Sequence, residues 1–291
     1  MRSIRRLLVG VAILALAACS REPGPPATPA GIAAATTIDF AHVANYAAPP
    51  LPAYFDETVA ALDNSPASNA ADDRVATLGR VLFHDMRLST NNRASCAGCH
   101  QQRFGFTDPM RFSNGISTAG TTDFHAMRLG NLRYWRPGTM FWDRRVVSAE
   151  VQASHPLHSL VEMGWGGNVG GIDALIRKMS ATDDYPALFA WAFDSPTITE
   201  PRMQQALAQF VRAMVSHDSR WDSGYARVFS PSAPNRALDV DLPDFTSGEN
   251  RGRQLFMTAV EQGGAGCASC HRPPTFALTT DARSNGLDAG E

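Results

Sequence analysis

Two five-residue strings carry the side chains most able to do chemistry: Cys96-Ala97-Gly98-Cys99-His100 and Cys267-Ala268-Ser269-Cys270-His271. Each reads C-x-x-C-H. At that spacing two thiols can form thioether bonds to a porphyrin while the adjacent imidazole takes one axial position on its iron. The strings hold four of the five cysteines. A zinc site would need both Cys pairs to converge on one metal, and it gives no reason for a His after each. The spacing therefore predicts two covalently bound haem c groups, on His100 and His271, and iron redox chemistry with them.

The fifth cysteine lies behind an export signal. Met1-Arg2-Ser3-Ile4-Arg5-Arg6 is a basic start, Leu7 to Ala18 is apolar, and small residues precede Cys19. That run is shorter than the roughly 20 apolar residues of a membrane span, so it reads as a secretory signal over residues 1–18. Leu16-Ala17-Ala18-Cys19 resembles the lipobox of bacterial lipoproteins, which implies acylation of Cys19. Plain cleavage is the alternative, but it would leave an odd exported thiol. With Cys19 lipidated, every cysteine has a covalent role and no disulfide is expected.

Composition excludes several classes. The chain has 291 residues, 44% of them hydrophobic, enough for one large or two modest cores. The formal net charge is −2; without Arg2, Arg5 and Arg6 it is 23 basic against 28 acidic residues, or −5. No basic stripe points to nucleic acid. Lys178 is the only lysine among 26 basic residues, which codon usage alone would produce.

Positioning elements can be read around the strings. Residues 19–36 are Pro- and Ala-rich and form a tether. Val75, Leu78, Leu82 and Phe83 give a helical stripe over Asp73 to His84. Residues 101–141, punctuated by Gly and Pro, read as loop. Helical patterning returns over Arg144–Ala153, Gly171–Met179 and Glu200–His217; Thr199 caps the last, and Met203, Leu207, Phe210, Val211 and Met214 form its core stripe. Residues 230–245 read as a second linker, and Thr246 opens a helix through Leu255 and Phe256. The expected fold is mostly α, two cytochrome c-like haem domains with long loops: residues 37–225 and a shorter 226–291 that reads as truncated. Leu78-Gly79-Arg80-Val81-Leu82-Phe83 and Arg251-Gly252-Arg253-Gln254-Leu255-Phe256 precede the two strings in similar fashion, as a duplication would leave them.

Trp142, Gln152 and Glu162 stand ten residues apart in turn. A peroxidase needs an open iron face and a base that moves a proton between the peroxide oxygens. Here the chain resembles the bacterial dihaem cytochrome c peroxidase family, which includes the MauG-type oxidases. The family pattern LGxxLFxDxRLS…CxxCH…FWDGRA…EQ…P…EMG is met by LGRVLFHDMRLS, CAGCH, FWDRR, AEVQ, HP and EMG, then by FTSGENRGRQLF before CASCH, over roughly residues 75–287. The resemblance implies that His100 ligates the peroxidatic haem, Glu162 is the distal acid/base, Gln152 is its companion, and Trp142 relays electrons between the haems.

The chain departs from that pattern in several places. Arg144 stands where the tryptophan motif has Gly. The family's Arg-Asn-x-Pro motif, whose Asn helps hold calcium, is altered to Arg128-Leu129-Gly130-Asn131, leaving Asn131 as the candidate calcium contact. His125 is the candidate distal haem ligand, with His155 and His158 as weaker rivals; His42, His84 and His217 read as structural or surface. The family's sixth ligand to the second haem, Met in peroxidases and Tyr in MauG-type enzymes, lies beyond the position where this chain stops, at Glu291, and the sequence reads as a fragment.

The resemblance implies a peroxidase that reduces hydrogen peroxide with electrons from a small cytochrome c or cupredoxin, and it allows a homodimer. A MauG-type oxidase acting on a partner protein's Trp or Tyr, and a pure electron-transfer dihaem cytochrome, are the alternatives. Haem c attachment and the lipobox place the body in the periplasm, held to the membrane through the lipid alone. Ser20 favours the outer membrane's periplasmic leaflet.

Overall fold

The computed structural model describes Ile32, residues 36–116 and residues 120–278; Cys19, the signal and nearly all of the tether lie outside these described residues. The fold is mostly helical. Among the described residues, β structure is limited to isolated bridges, and no helix is long and apolar enough to cross a membrane.

The first core grows from the helix expected at Asp73–His84, here α1. Asp72 caps it by accepting from the amides of Arg74 and Val75. Its stripe of Val75, Leu78, Leu82 and Phe83 is buried and packs on α2, Glu200–Arg212, through Met203, Leu207 and Phe210. Gly79 lies at the crossing: a Cβ there would come within 1.9 Å of the Ala206 carbonyl oxygen. The glycine in the Leu-Gly prelude is therefore a close-approach residue. Truncating Leu78, fully buried in this interface, to Ala should cost about 3 kcal/mol.

Two helices differ from expectation in their boundaries. The helix expected at Arg144–Ala153 is found at Ala149–His158, α3. Arg144 is left-handed (φ 59°) and Ser148 caps the start by accepting from Val151 N, so the helix cannot begin earlier. The helix expected to reach His217 stops at Arg212 because Asn131 captures the chain beyond it. Asn131 N donates to Met214 O, and Asn131 Oδ1 accepts from Ser216 N, both at 2.8 Å. Gly171–Ser180, α4, falls where expected.

Two helices escaped the pattern. Asp184–Phe193, α5, is apolar nearly all round and so lacks an amphipathic period. Arg220–Val228, α6, opens on a Ser219–Asp222 capping box. The presumed linker 230–245 is a packed segment: Leu238 and Leu242 join Tyr54 and Tyr225 in a second, smaller core. Asn250 of α7, Ser247–Met257, brackets Leu242 by bonding both its N–H and its carbonyl. That core draws on both sides of the expected 225/226 boundary.

Candidate active site and haem attachment

The first string forms one helical turn, Cys96–Cys99, with His100 N donating to Cys96 O at 2.8 Å. The loop behind it then doubles back. Gly105 and Phe106 are both left-handed (φ 70° and 62°), and Phe106 N returns to Gln101 O. This brings the Phe106 carbonyl 2.9 Å from His100 Nδ1. A carbonyl can only accept, so Nδ1 carries the proton and Nε2 keeps its lone pair. Burial, opposed by the backbone of Phe106 and Met127 and by the Asp108 charge, pulls the His100 pKa below the usual imidazole value, favouring the neutral, ligating form. Both thiols of the turn are free. Burial, the neighbouring Cys99 and the Glu162 carboxylate push the Cys96 thiol up to about 12. A fixed neutral imidazole beside two unpaired thiols fits haem c, with Cys96 and Cys99 as thioether partners and His100 Nε2 as the iron ligand.

The second string repeats this design in looser form. Cys267–Ser269 makes a short 3-10 turn after left-handed Gly266, and His271 N donates to Cys267 O at 2.9 Å. Phe276 is left-handed (φ 54°) with its N–H on Arg272 O, as Phe106 is with Gln101 O. The aromatic turn six residues after His100 thus has a counterpart five residues after His271. His271 itself is exposed, and its ring makes no hydrogen bond among the described residues.

Glu162 faces the first string. Burial is the main cause that raises the Cys96 and Cys99 thiols, and the Glu162 charge adds to both. Burial raises its own pKa, with Arg145 opposing, and its carboxylate has no hydrogen-bond partner among the described residues. The turn carrying it is tight. Glu162 N donates to Ser159 Oγ, Gly164 N donates to Ser159 O, and Gly164 has φ +87°. A Cβ at Gly164 would lie 2.4 Å from both Ile116 Cδ1 and Thr90 Oγ1, which explains the glycine of Glu-Met-Gly.

Gln152 is half-buried on α3, and its side chain is likewise unbonded among the described residues. The helix is anchored from below by Glu150, which accepts from Arg212 at 2.5 and 3.1 Å and from Asn69 at 2.9 Å.

Trp142 is 48% exposed, and its Nε1 donates to the His125 carbonyl at 3.1 Å. The next turn explains a departure from the family pattern. Arg144 adopts the left-handed conformation that a Gly supplies freely, and its Nε donates to Thr139 Oγ1 at 3.0 Å.

Sequence reasoning missed Arg145. Its guanidinium lies 3.9 Å from the Phe141 ring centroid and pairs with Asp143 at 2.8 Å, and its charge acts on both Glu162 and His155. The second Arg of Asp-Arg-Arg was the available signal.

The remaining candidates are engaged elsewhere. His125 is exposed; Nδ1 faces the carbonyls of Met110 and Arg111 at 3.0 and 3.2 Å, and Nε2 faces Thr107 Oγ1 at 2.9 Å. Buried Asn131 uses its amide oxygen on Ser216 N and its amide nitrogen on Thr275 O at 2.7 Å, linking α2's C-terminal extension to the loop after the second string. His158 pairs with Glu200, and His42, exposed, pairs with Asp39.

The sequence profile of the di-haem cytochrome c peroxidases matches residues 73–227, more than half of the chain. The chain belongs to the di-haem cytochrome c peroxidase family. It is 32% identical over 231 residues to the methylamine utilization protein MauG of Methylorubrum extorquens, covering 77% of this chain and 56% of that protein. It is 27% identical to the cytochrome c551 peroxidase of Nitrosomonas europaea, covering 69% and 52%. A solved MauG-like protein associated with microbial copper homeostasis superposes with a TM-score of 0.59 at 29% identity, over 76% of this family member and 59% of that chain. The chain spans about half the length of the curated relatives it matches.

Proposed function

We propose that this chain carries the peroxidatic centre of a di-haem c-type peroxidase, which converts one hydrogen peroxide, two protons and two electrons into two waters. The observation that carries the reading is Glu162: a half-buried, unbonded carboxyl on a turn tied through Met163 O to Thr90 N, in the segment whose Ser89 hydroxyl fixes the approach to the Cys96–His100 turn. Haem bound at that turn would supply the redox-active iron. Glu162 would accept a proton from one peroxide oxygen and return it to the other as the O–O bond breaks. Gln152 would orient the peroxide, and Trp142 would lie on the electron path from a second haem held by Cys267, Cys270 and His271. In this reading residues 37–225 hold the peroxidatic unit and 226–291 part of the electron-entry unit.

Electrons would come from a small cytochrome c or cupredoxin in the periplasm, with Cys19 as the lipid anchor in the outer membrane's periplasmic leaflet. His125 would serve as a distal ligand through Nε2, which would have to give up Thr107 Oγ1, while Nδ1 could keep its bond to the Met110 carbonyl. A calcium at Asn131 would take the second lone pair of the amide oxygen that accepts from Ser216 N.

A MauG-type oxidation of a partner protein's Trp or Tyr is the second reading, favoured by the 32% identity to a protein of that name. The test is Glu162→Gln in the full-length, haem-loaded protein. Peroxide turnover should fall at least 100-fold, the lower range for losing a general acid–base, with the absorption spectrum of the resting protein unchanged. Wild-type turnover by that variant would overturn the assignment.

A further inference from the structure

Lys178, the only lysine in the chain, projects from α4 into a cage of three acceptors. Its Nζ lies 2.7 Å from Arg87 O, 2.9 Å from Ser89 O and 2.6 Å from Asn92 Oδ1. Three acceptors converging on one nitrogen need three hydrogens on that nitrogen. An ammonium has them, whereas each guanidinium nitrogen carries at most two, in a plane. The Trp165 ring adds a cation–π contact at 5.4 Å. In a chain whose other cationic side chains of this kind are all arginine, this site is built for lysine.

The loop that Lys178 holds touches both halves of the site. On one side Trp165 Nε1 donates to Leu88 O at 2.6 Å and Thr90 N donates to Met163 O at 3.0 Å, so residues 88–90 are sewn to the Glu162 turn. On the other side Ser89 Oγ accepts from Arg93 N and Ala94 N, fixing the approach to Cys96. We infer that Lys178 is a positioning residue: by clamping residues 87–92 it sets the distance and register between the Glu162 carboxyl and the Cys96–His100 turn. This rests on the reading of Glu162 given above.

The test uses full-length haem-loaded Lys178→Arg and Lys178→Met beside Glu162→Gln. Amide hydrogen exchange reads the clamp directly. In both lysine variants the Thr90 amide should exchange at least about tenfold faster, the effect of losing a hydrogen bond to a charged group, while Ala76 and Met203 amides in α1 and α2 stay protected. Peroxide turnover should fall about tenfold, and the pH midpoint of its acid limb should move, in Lys178→Arg as in Lys178→Met. Unchanged Thr90 exchange in Lys178→Arg overturns the inference, as does an equal loss of protection in α1 and α2. If Glu162→Gln retains full turnover while Thr90 exchange rises in the lysine variants, the clamp stands and the acid–base assignment fails.

Discussion

The indole N–H of Trp142 donates to the backbone carbonyl of His125 at 3.1 Å. The candidate electron relay therefore ties down the loop that carries the candidate distal ligand. Other bonds that hold that loop include Thr107 to Ala126 O, His125 Nδ1 to Met110 O and His125 Nε2 to Thr107 Oγ1.

Trp142→Phe keeps an aromatic ring and removes the donor. The lost hydrogen bond should weaken the loop by about 1 kcal/mol. Limited proteolysis should then cut residues 122–128 roughly fivefold faster, with the unfolding midpoint of the whole protein nearly unchanged.

The buried Glu150–Arg212 pair tests how α3 is anchored. Arg212 is 6% and Glu150 15% exposed at the side chain. Removing one partner strands the other, so Arg212→Met should cost about 3 kcal/mol in chemical denaturation. Burial alone would raise the Glu150 pKa, but bonds from Arg212 and Asn69 outweigh it and the net shift is downward. The stability it contributes is therefore complete above the ordinary glutamate value and disappears as pH falls through its lowered folded value. Denaturation curves of wild type and Arg212→Met should converge in acid.

Glu162 has the opposite sign. Its folded pKa lies above the unfolded value, so folding favours the protonated form and the carboxyl's contribution is lost as pH rises through the raised value. Glu162→Gln, which stays neutral, should become progressively more stable than wild type over that interval, and the two should match below the ordinary glutamate pKa. A constant difference from acid to neutral pH would show that burial of this carboxyl has no energetic weight.

Arg144 holds φ 59° where a glycine would meet no steric cost. Arg144→Gly removes roughly 1 kcal/mol of backbone strain but also the bond to Thr139. Net stability should therefore change by less than about 1 kcal/mol, measured by thermal unfolding, despite the loss of a long charged side chain. Arg144→Val, β-branched and unable to adopt that conformation cheaply, should destabilise clearly.

Much of this protein is determined by local order along the chain. C-x-x-C-H fixes which cysteines and histidines can serve a haem because all five residues belong to a single turn. The 3.6-residue period located α1 and α4, and a Thr cap with a first-turn Pro located the start of α2, since these signals are contained within the helices themselves. The ten-residue intervals of Trp142, Gln152 and Glu162 likewise needed no coordinates to be seen.

What tertiary structure decided lies between segments distant in sequence. Asn131 holds the chain just beyond α2 through Ser216, 85 residues away, Gly79 is required by a carbonyl on another helix, and α5 shows no period because it is covered on nearly every side. Lys178 carries no sequence signal beyond its solitude. Its role exists only because folding brings three acceptors to one point, and convergence of that kind is a property of three-dimensional packing that spacing along a chain cannot express.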